Sequence, residues 1–138
     1  MADDLPRDNR GVRLDVEKTR DLSFSSWHRT LPSFCFVTDV DFLEYRIVNG
    51  TFMLKALFEV KKGYVTDPKY VENNANFKAI KTLAQKAGLP FYHIWYKKDN
   101  YEDTTESIKK FLVWDTDKPR STTVEKSLKE MEDFIKGL

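Results

Sequence analysis

Four charged residues fall where apolar strand residues are expected. Asp39 and Asp41 interrupt CFVTDVDFLEYR (residues 35–46), and Glu59 and Lys61 interrupt ALFEVKK (residues 56–62). A carboxylate held in or near a sheet costs free energy unless it is paired or binds a metal. Two or three carboxylates converging from neighbouring strands offer the hard oxygen ligands that Mg²⁺ prefers. That ion commonly takes one or two carboxylates and leaves its other positions to water and phosphate. A lysine two residues beyond the second acid adds a positive charge that can orient a metal-bound water or stabilise charge on a phosphorane. Acid, acid and lysine on adjacent strands therefore suit hydrolysis of a phosphodiester.

The elements that must position these groups can be read from periodicity. Residues 35–46 predict a strand in which Cys35, Val37, Asp39, Asp41, Leu43 and Tyr45 share one face. Asn49-Gly50 predicts a hairpin turn. Residues 51–62 return as an antiparallel strand with Lys55, Leu57, Glu59 and Lys61 on one side and Ala56, Phe58 and Val60 on the other. A loop is expected over 63–72. Residues 73–87 predict a helix with Phe77, Ile80, Ala84 and Ala87 inward, Lys78, Lys81 and Gln85 on another face, and Gly88 as its stop. Residues 90–96 (PFYHIWY) predict a buried strand reached by a crossover, and residues 108–114 another strand. Thr122 and Glu125 fit a capping box for a last helix carrying Val124, Leu128, Met131 and Ile135. Before the first strand, a short helix is expected over 14–22, then an irregular segment through Pro32. Lys97 to Thr105 is expected to be a polar loop. The sum is an α/β domain, a small mixed sheet flanked by helices, with an added C-terminal helix.

Composition narrows the function classes. The 138 residues suit a single domain over 1–138, with residues 1–12 expected to fray. One cysteine, Cys35, excludes an internal disulfide and a cysteine zinc cluster, and fits a reducing compartment. Two histidines, His28 and His93, exclude a His-rich metal site. No apolar run approaches the roughly 18 residues of a membrane helix, and the charged opening MADDLPRDNR does not look like a secretory leader, so no membrane partner is expected. A net charge of +1 means that any nucleic-acid surface must come from local clustering.

The order Asp41, then Glu59-Val60-Lys61 on the returning strand, then helix and strand, resembles the PD-(D/E)XK nuclease superfamily. The resemblance covers about residues 14–114 and implies the restriction-endonuclease-like αβββαβ core. The chain departs from the family's name at its first position: Thr38 and Val40, not proline, precede the two aspartates. DFLEY resembles the family's aspartate followed by apolar strand residues, which favours Asp41 over Asp39. SSWHRTLP, TDVDFLEYR, ALFEVKK and KAIKTLAQKAGLPFYHIWY together resemble a group of small phage and bacterial members.

The resemblance implies Mg²⁺- or Mn²⁺-dependent cleavage of DNA in the cytoplasm of a bacterium or phage-infected cell. In that scheme Asp41, Glu59 and the Val60 carbonyl hold the metal and Lys61 positions the attacking water. It also implies a further acid from the first helix, for which Glu17 is the candidate, and a polar residue on the later helix, such as Asn76, Lys78, Lys81 or Gln85. Small junction-resolving members are dimers, so a structure-selective homodimer is a subsidiary expectation.

Several residues carry two readings. Glu59 and Lys61 alone would also suit a solvated edge strand, but Phe58 and Val60 alternate correctly with a buried sheet. Asp39 is a second ligand, a strand-end hydrogen-bonding group or a solvated charge. Glu44 is expected to be exposed. His28 contacts phosphate or the metal water, or is a loop histidine beside an aromatic anchor, Trp27. Arg29 suits a phosphate through its planar fork. His93, in an aromatic strand, is expected to be a satisfied core histidine, with Phe91, Tyr92, Trp95 and Trp114 in the core. Lys62, Lys78 and Lys81 are candidate nucleic-acid contacts, with Lys97-Lys98 and Lys109-Lys110 as additional ones. The rival to a DNA nuclease is a catalytically silent nucleic-acid- or protein-binding module on the same fold. RNA is a further candidate substrate.

Overall fold

A computed structural model describes residues 22–63, 69–98 and 108–138. The chain divides into two compact units, Met1–Val37 and Thr38–Leu138. In the first, helix α1 spans Ser23–His28, with the Ser26 N–H donating to the Leu22 carbonyl at 2.9 Å. This stretch was expected to be irregular. Pro32 lies four residues past the helix, so its constraint falls outside it. Of the helix expected over 14–22, residues 14–21 lie outside the described residues, as does Glu17, and Leu22 immediately precedes α1.

The second unit is built on a five-stranded sheet in the order β1-β2-β3-β4-β5. The strands are β1 (Phe42–Val48), β2 (Thr51–Lys62), β3 (Phe91–Lys98), β4 (Ile108–Asp115) and β5 (Val124–Ser127). Only the β2–β3 pair is parallel; the other three are antiparallel. Helices α2 (Lys69–Glu72) and α3 (Ala75–Ala87) lie between β2 and β3, and α4 (Leu128–Lys136) follows β5. Among the described residues two strands, not three, precede the crossover helix.

Local chemistry explains these boundaries. Asn49 and Gly50 adopt φ of 51° and 78°, the left-handed pair that a two-residue hairpin requires. The Asn74 side chain caps α3 by accepting the Asn76 and Phe77 N–H groups. Gly88 ends α3 at φ 69°, and the Leu89 N–H returns to the Ala84 carbonyl at 2.9 Å.

Strand alternation gives the sheet two apolar faces. On one, Leu57 and Phe91 pack under Ile80 and Ala84 of α3, with Trp95, Trp114 and Val71 further along. On the other, Ala56, Phe58, Ile94 and Val113 pack under Met131 of α4.

Three expectations are corrected. The first strand begins at Phe42, not Cys35, because the ladder stops there. The last pair is Phe42 with Phe58, and beyond it the Val60 N–H donates to the Asp41 carboxylate, not to a backbone carbonyl. The last helix begins at Leu128, capped reciprocally by Ser127 and Glu130. The segment expected to start it, Val124–Ser127, extends the sheet against β4 instead. The S/T-x-x-E pattern occurs twice, and the first copy is spent where the open β4 edge can be paired. Within the loop expected over 63–72, Lys69–Glu72 is the short helix α2.

A bulge at Lys55 completes the hairpin. Glu44 pairs with Ala56 but Tyr45 pairs with Leu54, so Lys55 has no opposite number. Beyond the bulge Tyr45, Ile47, Phe52 and Leu54 therefore share the face that carries Leu57, and all four are exposed.

Candidate active site

Asp41 immediately precedes β1, and Glu59 and Lys61 lie near the end of β2 on the Leu57 face. Asp41 is fixed by its own backbone neighbour: its Oδ2 accepts the Val60 N–H at 2.9 Å. That bond sets the Asp41 carboxyl beside Glu59. Glu59 Oε1 is 3.1 Å from Lys61 Nζ, with the Glu59 side chain 18% exposed and Lys61 56%. Burial pushes the Glu59 carboxyl above its ordinary value, and the Asp41 charge pushes the same way. The Lys61 hydrogen bond and charge oppose both. The structure thus brings the Asp41 carboxyl and Lys61 beside Glu59, with the Val60 N–H bonded to Asp41. The aspartate whose charge reaches Glu59 is Asp41; Asp39 is exposed and is not among the groups that shift it.

His93 is the neighbour that sequence reasoning undervalued. In the parallel β2–β3 register it stands opposite Glu59. It is 3% exposed, its ring lies 4.2 Å from that of Trp95, and its Nδ1 has no hydrogen-bond partner among the described residues. The expected satisfied core histidine is therefore buried but not satisfied on that nitrogen. Burial, with Arg120 and Lys61 nearby, lowers its pKa from 6.5 to about 4. Its sequence signal was a polar ring inside PFYHIWY, on the same strand face as Phe91 and Trp95.

The other candidates are dispersed. Lys62 lines the cavity next to Glu59, as do Asn74 and Asn76 at the start of α3. Gln85 sits nine residues after Asn76, about 14 Å along the helix axis, and lines a different groove with Lys81 and Asp117. Lys81 is half-buried and donates to Thr116 Oγ1 at 2.9 Å and Asp117 Oδ1 at 2.5 Å. This lysine braces α3 on the turn after β4. Lys78 is exposed on α3. His28 is half-buried and Arg29 exposed, both at the end of α1 in the first unit. Lys110 pairs with Glu125 across β4 and β5 at 2.7 Å. Glu44, expected to be exposed, is half-buried. It pairs with Arg46, whose Nη2 also donates to the Ile135 carbonyl at 2.6 Å and so ties β1 to α4.

Among the described residues no group of three or more His, Cys, Asp and Glu side chains is placed to hold a metal. The donor set on hand is the Asp41–Glu59 pair with backbone oxygen, which meets the one- or two-carboxylate requirement of Mg²⁺ and falls short of a histidine-rich or all-protein cage. Among the described residues no helix is long and apolar enough to cross a membrane. Set against family models, curated proteins and solved structures, the chain matches none.

Proposed function

We propose that this chain is a metal-dependent nuclease that hydrolyses phosphodiester bonds in DNA, on a sheet of the restriction-endonuclease-like kind. The observation that carries this reading is the approach of the Asp41 carboxyl to Glu59 from just before the neighbouring strand, with Lys61 3.1 Å from Glu59. Two acids this close, one of them partly desolvated, form a site whose negative charge a divalent cation relieves. Mg²⁺ or Mn²⁺ fits because its ligands are hard oxygens and few of them need come from protein. Asp41, Glu59 and the Val60 carbonyl would hold it. Once bound, such an ion polarises a phosphoryl oxygen and lowers the pKa of a coordinated water.

The chain's own residues supply the rest. Asp41 is oriented by the Val60 N–H, which its Oδ2 accepts at 2.9 Å. Lys61, more than half exposed, can leave Glu59 to orient water or meet charge on the phosphoryl oxygens. Lys62, Lys78 and Arg29 remain candidates for the DNA backbone. Lys81 is a further candidate, one that would have to give up its bonds to Thr116 and Asp117 to reach a phosphate. A homodimer acting on DNA in the cytoplasm of a bacterium or infected cell completes the proposal.

The test is direct. Purified protein with Mg²⁺ or Mn²⁺ is expected to cut at least one of single-stranded, duplex, flapped and branched DNA. Asp41→Asn, Glu59→Gln and Lys61→Ala are each expected to remove that activity. All four substrates left intact would refute the proposal.

A second reading, a protein-binding module on the same fold, draws on the exposed Tyr45, Ile47, Phe52 and Leu54 of the hairpin. Calorimetry separates the two. Mn²⁺ binding that Glu59→Ala removes supports the enzyme, and absence of binding supports the module.

A further inference from the structure

Next to the carboxylate pair, β2, α2, β3 and the first turn of α3 line an open cavity of about 280 Å³. Its inner wall is ring and methyl surface: Phe77, His93 and Val71. The Phe77 ring cannot move freely, because it stacks parallel on Trp114 at 5.7 Å and also meets Phe91 at 5.4 Å. The buried His93 contributes the Nδ1 that lacks a partner among the described residues. The outer parts are polar: the exposed Asn74 and Asn76, and Lys61 and Lys62 with the Glu59 carboxylate that pairs with Lys61.

Apolar ring surface inside, side-chain amides at the rim and, at the mouth, two cations beside the one carboxylate, Glu59, match the parts of a nucleotide in order, with a divalent cation on Glu59 leaving Lys61 to the phosphate. Bases of any sequence stack on aromatic groups. An amide can bond a base edge in donor–acceptor fashion, and lysines meet phosphate as point charges. Size excludes a duplex: the cavity lies near the lower limit of small-molecule pockets, about 300 Å³. A base can enter only when it is unpaired and turned out of a stack. We infer that this cavity receives one unpaired nucleotide, its base against Phe77 and His93 and its phosphate toward Lys61 and Lys62, so that cleavage falls beside an unpaired position. The second half of this inference rests on the nuclease reading; the binding of a nucleotide does not.

The full chain is titrated with thymidine monophosphate, and in parallel with inorganic phosphate, while the His93 ring and the Trp95 and Trp114 indole signals are followed by NMR. Thymidine monophosphate is expected to shift these signals to saturation at concentrations where phosphate does not. Asn76→Trp, which fills the rim, is expected to weaken binding by about tenfold, and Asn76→Ala by less. Circular dichroism establishes that both variants are folded. Equal responses to nucleotide and phosphate, no saturable shift, or unchanged affinity in Asn76→Trp would each overturn the inference. In the cleavage arm, a duplex with one unpaired thymidine is expected to be cut about tenfold faster than its fully paired counterpart. Equal rates overturn the substrate half. Nucleotide binding without cleavage of any DNA rejects the nuclease reading and upholds the cavity, and cleavage without nucleotide binding does the reverse.

Discussion

Binding of a divalent cation should be legible as stability, independently of any cleavage. Glu59 carries a carboxyl raised by burial and by Asp41. A group raised in this way binds its proton more tightly in the folded state. Above the ordinary carboxylate range it therefore opposes folding, and the penalty fades as the pH falls toward that range. Replacing it by the neutral Glu59→Gln removes the penalty, so the metal-free variant is expected to melt higher than wild type at pH 7. With cation the order reverses. A ligand that binds only the folded state stabilises it by about 2.7 kcal/mol at a hundredfold excess over Kd. For a folded unit the size of Thr38–Leu138 this is a rise of roughly 13 °C in Tm. The assay is thermal denaturation with and without Mn²⁺, and with Ca²⁺ as a second cation. Wild type and Asp39→Asn are expected to show the rise, because Asp39 lies outside the pair. Asp41→Asn and Glu59→Gln are expected to lose it. Lys61→Met is expected to keep it, since the lysine competes with the cation for Glu59. No rise in wild type, or a rise that survives both Asp41→Asn and Glu59→Gln, would refute the placement of the metal.

The remaining predictions concern the frame around the site. His93 is lowered to about 4 from 6.5. Its neutral form therefore supports folding fully above pH 6.5, and roughly 3 kcal/mol of that support is lost as the pH falls through 4. Urea unfolding of wild type and His93→Phe from pH 7 to pH 4 checks this, and a difference that stays flat with pH would contradict it. Ser127→Ala should destabilise by about 1 kcal/mol in thermal melts, because Ser127 Oγ accepts the Glu130 N–H at 3.1 Å. Thr122→Ala should cost less, since Thr122 caps no α-helix. Gly50→Ala should cost about 1 kcal/mol through its φ of 78° alone, as nothing lies within 4 Å of the added methyl.

What could be read from sequence was what repeats at short range. Asn49-Gly50 announced the hairpin, and the 3- and 4-residue spacing of Phe77, Ile80 and Ala84 announced α3. The alternation of Leu57, Glu59 and Lys61 with Phe58 and Val60 placed the acid and the lysine on one face. What escaped depends on partners far along the chain. The strand was drawn back to Cys35 because residues 35–41 alternate well enough, and only the capture of the Val60 N–H by Asp41 stops the ladder at Phe42. Glu44 looked exposed because Arg46 and the Ile135 carbonyl, 89 residues beyond Arg46, are not visible in local pattern. The choice between two S/T-x-x-E boxes needed the β4 edge. Gln85 was on a plausible face of α3 but at the wrong end of it, because only the parallel β2–β3 register shows that the first turn of the helix adjoins Glu59.

The same hydrogen bond that ends β1 sets the Asp41 carboxyl of the proposed site. A carboxylate on a continuous ladder would project from the sheet beside its neighbours, with the Val60 N–H satisfied by backbone. Here the chain leaves the ladder one residue early, and Asp41 takes over as acceptor for the vacated donor. The backbone group stays satisfied, which matters because an unpaired N–H beside a half-buried carboxyl would add a further cost. In exchange, the Asp41 carboxyl is drawn in against β2, toward Glu59, and onto the face where α3 begins. The strand end and the acid pair are thus consequences of one donor changing partners. For that reason an aspartate at the end of a strand, and not one within it, is the residue to which the chemistry is assigned.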